Sequence, residues 1–189
     1  MTDRLWPELE PEPPAASRGR AAQGRPSGAS ARGFVVRTDG AARGNPGPAS
    51  LGAALFDLAR PDARHPLARP DATISEYLGI QTNNVAEYTG VLRAVALGVE
   101  LGAMRLELLL DSNLIVEQVH GRWRVKDAKL RPLWADVLRI LHGLPAGWSA
   151  AHVRREQNTI ADALANEAID RVQAGGPPVV VRRPGDARG

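Results

Sequence analysis

The sequence FVVRTDGAARGNPGPASLGAALF, residues 34–56, decides how the rest of the chain folds. An apolar run rich in β-branched residues leads into Asp39, a segment dense in Gly and Pro follows, and residues 51–56 are apolar again. Two apolar runs separated in this way are typical of a β-hairpin, here with a long connection over 40–48. Asp39 should then lie at or just past the end of a central strand, where a carboxylate is costly unless something such as a metal ion satisfies it. The alternative for a single Asp before Gly is an ordinary turn residue.

Composition limits the classes of protein to which the chain can belong. Its 189 residues are 43% hydrophobic, which suits one folded domain with tails, and no apolar run approaches the ~20 residues of a membrane span. The N-terminus, MTDRLWPELEPEPPA, lacks the basic and apolar regions of a secretion signal. The absence of Cys excludes disulfides and thiolate zinc sites. We therefore expect a cytoplasmic monomer with no membrane partner.

Charge is distributed unevenly along the chain. The formal net charge is +3, and residues 34–173 carry equal numbers of basic and acidic residues, so the tails supply the excess. If several acids converge in one site, the remaining surface of the folded part becomes mildly basic, which suits a polyanion held against metal ions. A balanced, solvated surface is the alternative interpretation.

Periodicity predicts one folded domain, residues 33–173, between a disordered tail rich in Pro, Ala and Arg, residues 1–32, and a flexible C-terminal tail, residues 174–189. In that last tail, residues 179–181 could add a short edge contact. The predicted strands and helices alternate as β-β-β-α-β-α-α-β-α, with strands at about 33–38, 50–58, 72–80, 104–110 and 148–153, and helices from about Val85 to Gly102 and at about 112–120, 131–142 and 158–173. Thr82, Asn83 or Asn84 can cap the first helix and Asn158 the last. This order predicts an α/β fold: a mixed five-stranded sheet, three antiparallel strands and then two parallel ones, with helices on both faces.

Four acids stand at the ends of predicted elements. Asp39 and Asp111 both follow apolar strands, and if these strands are parallel neighbours their carboxylates lie about 4.8 Å apart. Such a pair repels unless a divalent cation separates the charges. Glu87 and Asp162 lie in the predicted first turns of helices that could pack beside those strand ends. Oxygen ligands without Cys or clustered His favour Mg²⁺ or Mn²⁺ over zinc, and two such ions make the arrangement of many phosphodiesterases. The alternative is that each acid is an ordinary helix-terminus or cap residue.

The acids belong to four sequence blocks in a recognisable order. The blocks are TDG-x-x-x-GNPGP (38–48), TNN-x-x-E (82–87), DS after an apolar run (111–112) and N-x-x-ADALA (158–165). Over about 34–172 they resemble the motifs of the type 1 ribonucleases H, in the short bacterial and archaeal form without the long basic protrusion. The resemblance implies the ribonuclease H fold. It also implies an endonuclease that hydrolyses the RNA strand of RNA–DNA hybrids with two Mg²⁺ ions, for which Mn²⁺ can substitute, leaving 5′-phosphate and 3′-hydroxyl ends.

Residue roles follow from the motif match. The resemblance implies that the catalytic and metal-binding residues are Asp39, Glu87, Asp111 and Asp162, with Asp39 bridging the ions. The residues expected to contact the hybrid are Gly44, Asn45, Thr82, Asn83, Trp123, Lys126 and Arg155. Amide side chains and exposed Gly backbone suit the minor-groove edges and 2′-hydroxyls by which proteins distinguish RNA. Trp123, in the basic segment 122–131, could hold the DNA strand by stacking or could pack down as core.

One loop departs from the family pattern. Many members carry a His in a flexible loop before the last metal-binding Asp, whereas this chain has the short loop HVRREQN (152–158) with Arg154 and Arg155. We expect His152 to end a strand and point elsewhere, and Arg155 either to contact a phosphate or to be solvated. Two other functions remain open: a catalytically weak or inactive hybrid-binding module, and a 3′-to-5′ exonuclease or resolvase of the same broad fold.

Overall fold

The computed structural model describes residues 31–186. The tail expected at 1–32 lies almost wholly outside the described residues, as do 187–189. Six strands and four helices follow in the order β1 Gly33–Ala42, β2 Gly47–Asp57, β3 Ala72–Gln81, α1 Asn83–Glu100, β4 Arg105–Leu110, α2 Asn113–Val119, α3 Leu130–His142, β5 Trp148–His152, α4 Thr159–Gln173 and β6 Val179–Arg182, with a single 3-10 turn, Arg155–Gln157, before α4.

The strands form one mixed sheet in the order β5-β4-β1-β2-β3-β6. β1 pairs antiparallel with β2, and β2 with β3, whereas β4 is parallel to both β1 and β5. These five strands confirm the predicted arrangement of three antiparallel strands and two parallel ones. Helix α1 packs on one face of the sheet with α3 against it, and α4 packs on β2, β1 and β3, so helices cover both faces as expected.

The predicted count of five strands is wrong, because β6 pairs antiparallel with β3 as a sixth strand at the edge of the sheet, and the short edge contact considered for residues 179–181 is confirmed. Arg171 fastens the preceding turn, because its Nε donates to the Pro177 carbonyl at 2.8 Å and its terminal nitrogens donate to Ser75 Oγ and Ser75 O. The three Val residues at 179–181 lie between a pair of Pro and a pair of Arg, and so short a run cannot show the alternation typical of a strand. Only the tertiary contact with β3 makes it a strand.

The first hairpin is tighter than the sequence indicates. β1 continues to Ala42 and β2 begins at Gly47, so the connection is 43–46 and the long connection expected over 40–48 is wrong. Small residues within the predicted connection pair across the hairpin instead, as Gly40 does with Leu51. Asp39 therefore lies inside β1, opposite Gly52, and not at the end of the strand.

Candidate active site

Strand register brings the first two acids together. The parallel pairing of β1 with β4 ends at Val36 opposite Leu108, and the same register continued by three residues sets Asp39 beside Asp111. Asp111 directly follows β4. Asp39 is inside its antiparallel hairpin yet beyond the end of its parallel ladder with β4. The expectation that these two carboxylates share one end of the sheet is supported by this register.

Two glycines let the helices that carry the other two acids approach the sheet. A Cβ on Gly40 would lie 2.3 Å from the Glu87 backbone nitrogen, so only Gly lets the start of α1 pack this closely on β1. A Cβ on Gly52 would lie 2.0 Å from the Ala161 carbonyl oxygen, immediately before Asp162 in α4. Each helix thus packs directly on the strand backbone next to Asp39, and this packing places Glu87 of α1 and Asp162 of α4 near it.

Glu87 is held by two hydrogen bonds. Asn83 Nδ2 donates to Glu87 Oε1 at 2.8 Å, and Ser112 Oγ donates to Glu87 Oε2 at 2.7 Å. Burial raises the pKa of Glu87, the charge of Asp111 adds to that rise, and the two hydrogen bonds oppose it. Because α1 begins at Asn83, Glu87 lies in its second turn, and the expected first-turn position is wrong. The helix dipole therefore explains Glu87 less well than its contacts do.

Asp39 is the electrostatic centre of the group. It is 9% exposed, and its pKa is raised to about 8, first by burial and then by the charges of Asp111, Asp162 and Glu87 and a side-chain hydrogen bond to Asp162. The ionised carboxylate is disfavoured by its removal from water and by the negative charges beside it. The three other acids are thus within electrostatic reach of Asp39.

Asp162 lies in the first turn of α4, as predicted, and pairs with a basic side chain. Arg155 donates to Asp162 Oδ1 at 3.0 Å, and this hydrogen bond is the main reason that the pKa of Arg155 rises; the charges of Asp162 and Asp39 also contribute. Arg155 thus contacts an acid of the site, and its expected contact with nucleic acid stays a prediction. His152 ends β5 and is exposed, as expected.

Asn158 has a role that the sequence did not indicate. It occupies the cap position of α4 as expected, yet its side chain makes no capping hydrogen bond. Its buried Nδ2 donates to both the Thr38 carbonyl and Asp111 Oδ1, each at 2.9 Å. Asn158 thereby ties α4 to β1 and to the end of β4. A signal existed in the N-x-x-ADALA block, but capping was the simpler explanation of an Asn before a helix.

The residues expected to contact nucleic acid form two groups. Gly44 and Asn45 are exposed in the hairpin connection, and Asn45 Oδ1 accepts from the Asn83 backbone N–H at 3.2 Å. Thr82 caps α1, because its Oγ1 accepts from the Val85 N–H at 3.4 Å. Asn45, Thr82 and Asn83 therefore form one polar surface beside Glu87.

Trp123 and Lys126 belong to a second surface, between α2 and α3. Trp123 is 50% exposed, so the alternative that it packs down as core is wrong. A cavity of about 990 Å³ opens here, with Trp123 and Trp134 in its lining together with Arg122, Arg124 and Arg131. Lys126 is exposed on the same segment. We name this surface, residues 121–135, the basic groove.

The donor set fits a hard divalent cation. The four side chains offer only carboxylate oxygens, and burial together with repulsion between the acids disfavours ionised Asp39 at their centre, which a bound cation would offset. Within residues 31–186, however, no group of three or more acidic or histidine side chains is arranged to hold a metal ion without movement of the side chains. Among the same residues, no helix is both long and apolar enough to cross a membrane.

Comparison with known proteins covers the part of the chain that carries this site. Residues 37–168 match the family model described as "Reverse transcriptase-like". A bifunctional protein of Mycobacterium tuberculosis is 38% identical over 139 residues, which are 72% of this chain and 35% of the relative, so the chain spans about a third of that protein's length. Ribonuclease HI of Halobacterium salinarum is 37% identical over 135 residues, 70% of this chain and 62% of the relative.

Solved structures agree with these matches. The N-terminal RNase H domain of the M. tuberculosis protein has a TM-score of 0.65 and 38% identity, covering 73% of this chain and 99% of that chain. LC11-RNase H1, solved in complex with an RNA/DNA hybrid, has a TM-score of 0.64 and 36% identity, covering 74% of this chain and 99% of that chain. With a family match over most of its length and with these neighbours in fold and sequence, the chain belongs to the type 1 ribonuclease H family.

Proposed function

We propose that the chain is an endoribonuclease that hydrolyses the RNA strand of RNA–DNA hybrids, and that residues 33–173 are its catalytic domain. The observation that carries the proposal is the placement of three carboxylates, those of Glu87, Asp111 and Asp162, around the buried Asp39. The names of the relatives support it, since one is a ribonuclease HI and another, LC11-RNase H1, was solved with an RNA/DNA hybrid.

Asp39, Glu87, Asp111 and Asp162 would hold the divalent cations, two Mg²⁺ in our proposal, with Mn²⁺ as a substitute. When bound, these ions supply positive charge that favours ionisation of a water and stabilises the leaving oxygen. The protein supports them by orienting the ligands: Asn83 and Ser112 fix Glu87, and Asn158 fixes Asp111.

The proposed reaction is attack of water on a phosphodiester of the RNA strand. A bond forms between the water oxygen and phosphorus, and the bond between phosphorus and the 3′ oxygen breaks. The products are therefore a 5′-phosphate and a 3′-hydroxyl. Arg155, which is exposed and already paired with Asp162, stands where it can meet the phosphate when a substrate is bound.

Recognition of the hybrid is assigned to two surfaces. Asn45, Thr82 and Asn83 present amide and hydroxyl groups beside Glu87, which suits the sugar edges and 2′-hydroxyls of the RNA strand. Trp123 and Lys126 in the basic groove offer stacking and charge for the DNA strand.

A second function is a module that binds hybrids without cutting them. It is favoured by one observation: within residues 31–186 the ligand side chains are not already gathered into a metal-binding group. The two functions differ in a simple way, because only the enzyme should show cleavage that requires a divalent cation.

Substitution of the central ligands tests the proposal. Asp39→Asn and Asp111→Asn should each lower hybrid cleavage about a hundredfold or more, because a catalytic metal contributes several kcal/mol and each ~1.4 kcal/mol is a factor of ten. Asp136→Asn is the matched control, since among residues 31–186 the side chain of Asp136 pairs only with the exposed Arg139. Full activity in either ligand variant would refute the assignment, and hybrid binding without any cleavage by the unchanged protein would favour the binding module.

A further inference from the structure

Arg37 is a buried cation with no acidic partner among the described residues. Its side chain comes from β1, two residues before Asp39 and on the same face of the strand, and the residue is only 2% exposed. Burial lowers its pKa, as expected for a charge removed from water. A buried guanidinium without a carboxylate is costly, so its hydrogen bonds show what offsets the cost.

Both hydrogen bonds of Arg37 go to backbone carbonyls of separate loops. One terminal nitrogen donates to the Gln157 carbonyl at 2.6 Å and the other donates to the Arg64 carbonyl at 3.0 Å, while Nε is buried without a partner. Gln157 is the last residue of the 3-10 turn Arg155–Gln157. The guanidinium of Arg37 on β1 therefore holds this turn by a hydrogen bond to the carbonyl of its last residue.

The turn carries functional side chains at both ends. Arg155 at its start donates to Asp162, and Asn158 just after it donates to Asp111 and to the Thr38 carbonyl. A shift of the Gln157 backbone would move both side chains relative to the acids they contact. No other hydrogen bond from a described side chain reaches the carbonyls of this turn.

The second anchor of Arg37 is itself held in place. Arg64 makes two hydrogen bonds of 2.9 Å to the carboxylate of Glu107, which lies on β4 and is 7% exposed. Arg105 also pairs with Glu107 at 2.7 Å. Arg37 thus spans from a loop fixed on β4 to the turn beside the acids.

We propose that Arg37 is a positioning residue, which holds the turn Arg155–Gln157 so that Arg155 and Asn158 stay against Asp162 and Asp111. The kinetic part of this inference rests on the proposed hybrid cleavage. The structural part does not, because it concerns the order of the turn in the protein without substrate.

The kinetics of Arg37→Met test the first part, because Met keeps a long side chain and removes the hydrogen-bond donors of the guanidinium. We expect kcat to fall about tenfold with KM changed less than about twofold, because a small displacement of positioned groups can cost up to about a hundredfold in rate. Arg37→Lys should recover part of the loss, since it restores one donor. In the double variant Arg37→Met with Arg155→Ala, the combined fold-loss in kcat should be smaller than the product of the two single fold-losses, as expected for residues that act through one another. Arg93→Met, which removes an exposed pair with Glu76, is the control and should keep normal kcat.

Hydrogen exchange tests the second part in the protein without substrate. The amides of Gln157 and Asn158 bond to the carbonyls of Arg154 and Arg155, and they should exchange about tenfold faster in Arg37→Met, while α1 amides stay unchanged. Unchanged exchange in the turn, or independent losses in the double variant, would overturn the inference. If Arg37→Met does not fold, the same exchange measurement on Arg37→Lys decides. Faster exchange in a protein that cleaves no hybrid would uphold the positioning role while refuting the proposed function.

Discussion

Asp39 is a buried carboxylate whose charge is unfavourable in the folded protein until a cation reaches it. Its pKa is raised from 3.8 to about 8, so between these values the folded state holds a proton that the unfolded state releases. The free energy of unfolding must then fall as the pH rises through this window, because the unfolded chain binds fewer protons there. Glu87, whose pKa is also raised, adds to the same trend.

Asp39→Asn should therefore stabilise the protein at high pH when metals are removed. In EDTA at pH 5 the variant's advantage in free energy of unfolding should still be small, because this pH is only slightly above 3.8, where the unfolded chain begins to release the proton that folded Asp39 keeps. At pH 8 the variant should be more stable by about 2 kcal/mol, given ~1.4 kcal/mol for each unit of pKa shift and partial relaxation of the site. Urea denaturation at both pH values measures this, with Asp136→Asn as a control that shows no pH-dependent gain. A variant no more stable than the unchanged protein at pH 8 would contradict the assigned electrostatics.

Trp123 is the residue that tests the basic groove. Trp123→Ala should raise KM for an RNA–DNA hybrid about tenfold, because stacking on a base or sugar is worth about 1–3 kcal/mol. Its half-exposed ring contributes little to the core, so kcat and the melting temperature should change little. Leu67→Ala removes a side chain that is 73% exposed in the loop between β2 and β3, and it should leave KM unchanged. An unchanged KM for Trp123→Ala would remove the groove from the binding surface.

Sequence identified the acids but not the side chains that hold them. Asp39 and Asp111 could be predicted because an apolar run ending in an acid is a local pattern. The donors from Ser112, Asn158 and Arg37 could not, because each acts across the fold on an element distant in sequence. An Asn before a helix is most simply a cap, and only the packed structure shows its amide turned towards Asp111.

At the scale of elements, the close packing of α1 on β1 depends on Gly40. Gly40→Ala should lower the free energy of unfolding by about 1–3 kcal/mol and lower cleavage, because its Cβ would strike the Glu87 backbone and push that acid away from Asp39. Gly143→Ala is the matched control, because its Cβ would approach only carbonyl oxygens at 3.4 Å and its φ of −78° suits Ala. Chemical denaturation and hybrid cleavage measure the two effects. Normal stability and activity in Gly40→Ala would show that α1 does not need this close approach.

Most elements were predictable, and only the shortest were not. The four helices and the strands β1 to β5 follow from local patterns within a few residues of their observed ends. β6 and the turn Arg155–Gln157 have four and three residues, too few for any period to appear. Each exists because of a long-range contact, with β3 and with Arg37 respectively.

Across the whole molecule, the candidate site exists only when the sheet and both helix layers are assembled. The four acids come from β1, α1, the residue after β4, and α4, and so from positions spread between 39 and 162. Local unfolding of any one layer would remove one of the four acids, which links stability to the integrity of the candidate site. The four motif blocks predict which residues meet, whereas the exposed Trp123 in its groove required the structure, because a basic segment with one Trp fits either a core or a binding surface.

The most direct measurement is cleavage of four matched duplexes, RNA–DNA, RNA–RNA, DNA–DNA and DNA with one ribonucleotide, with each strand labelled in turn and with Mg²⁺, Mn²⁺ or EDTA. We expect internal cuts in the RNA strand of the hybrid alone, with 5′-phosphate and 3′-hydroxyl ends, and none in EDTA. Products that shorten from one end would instead indicate an exonuclease. Binding of the hybrid without cleavage at any metal concentration would contradict the proposed ribonuclease activity.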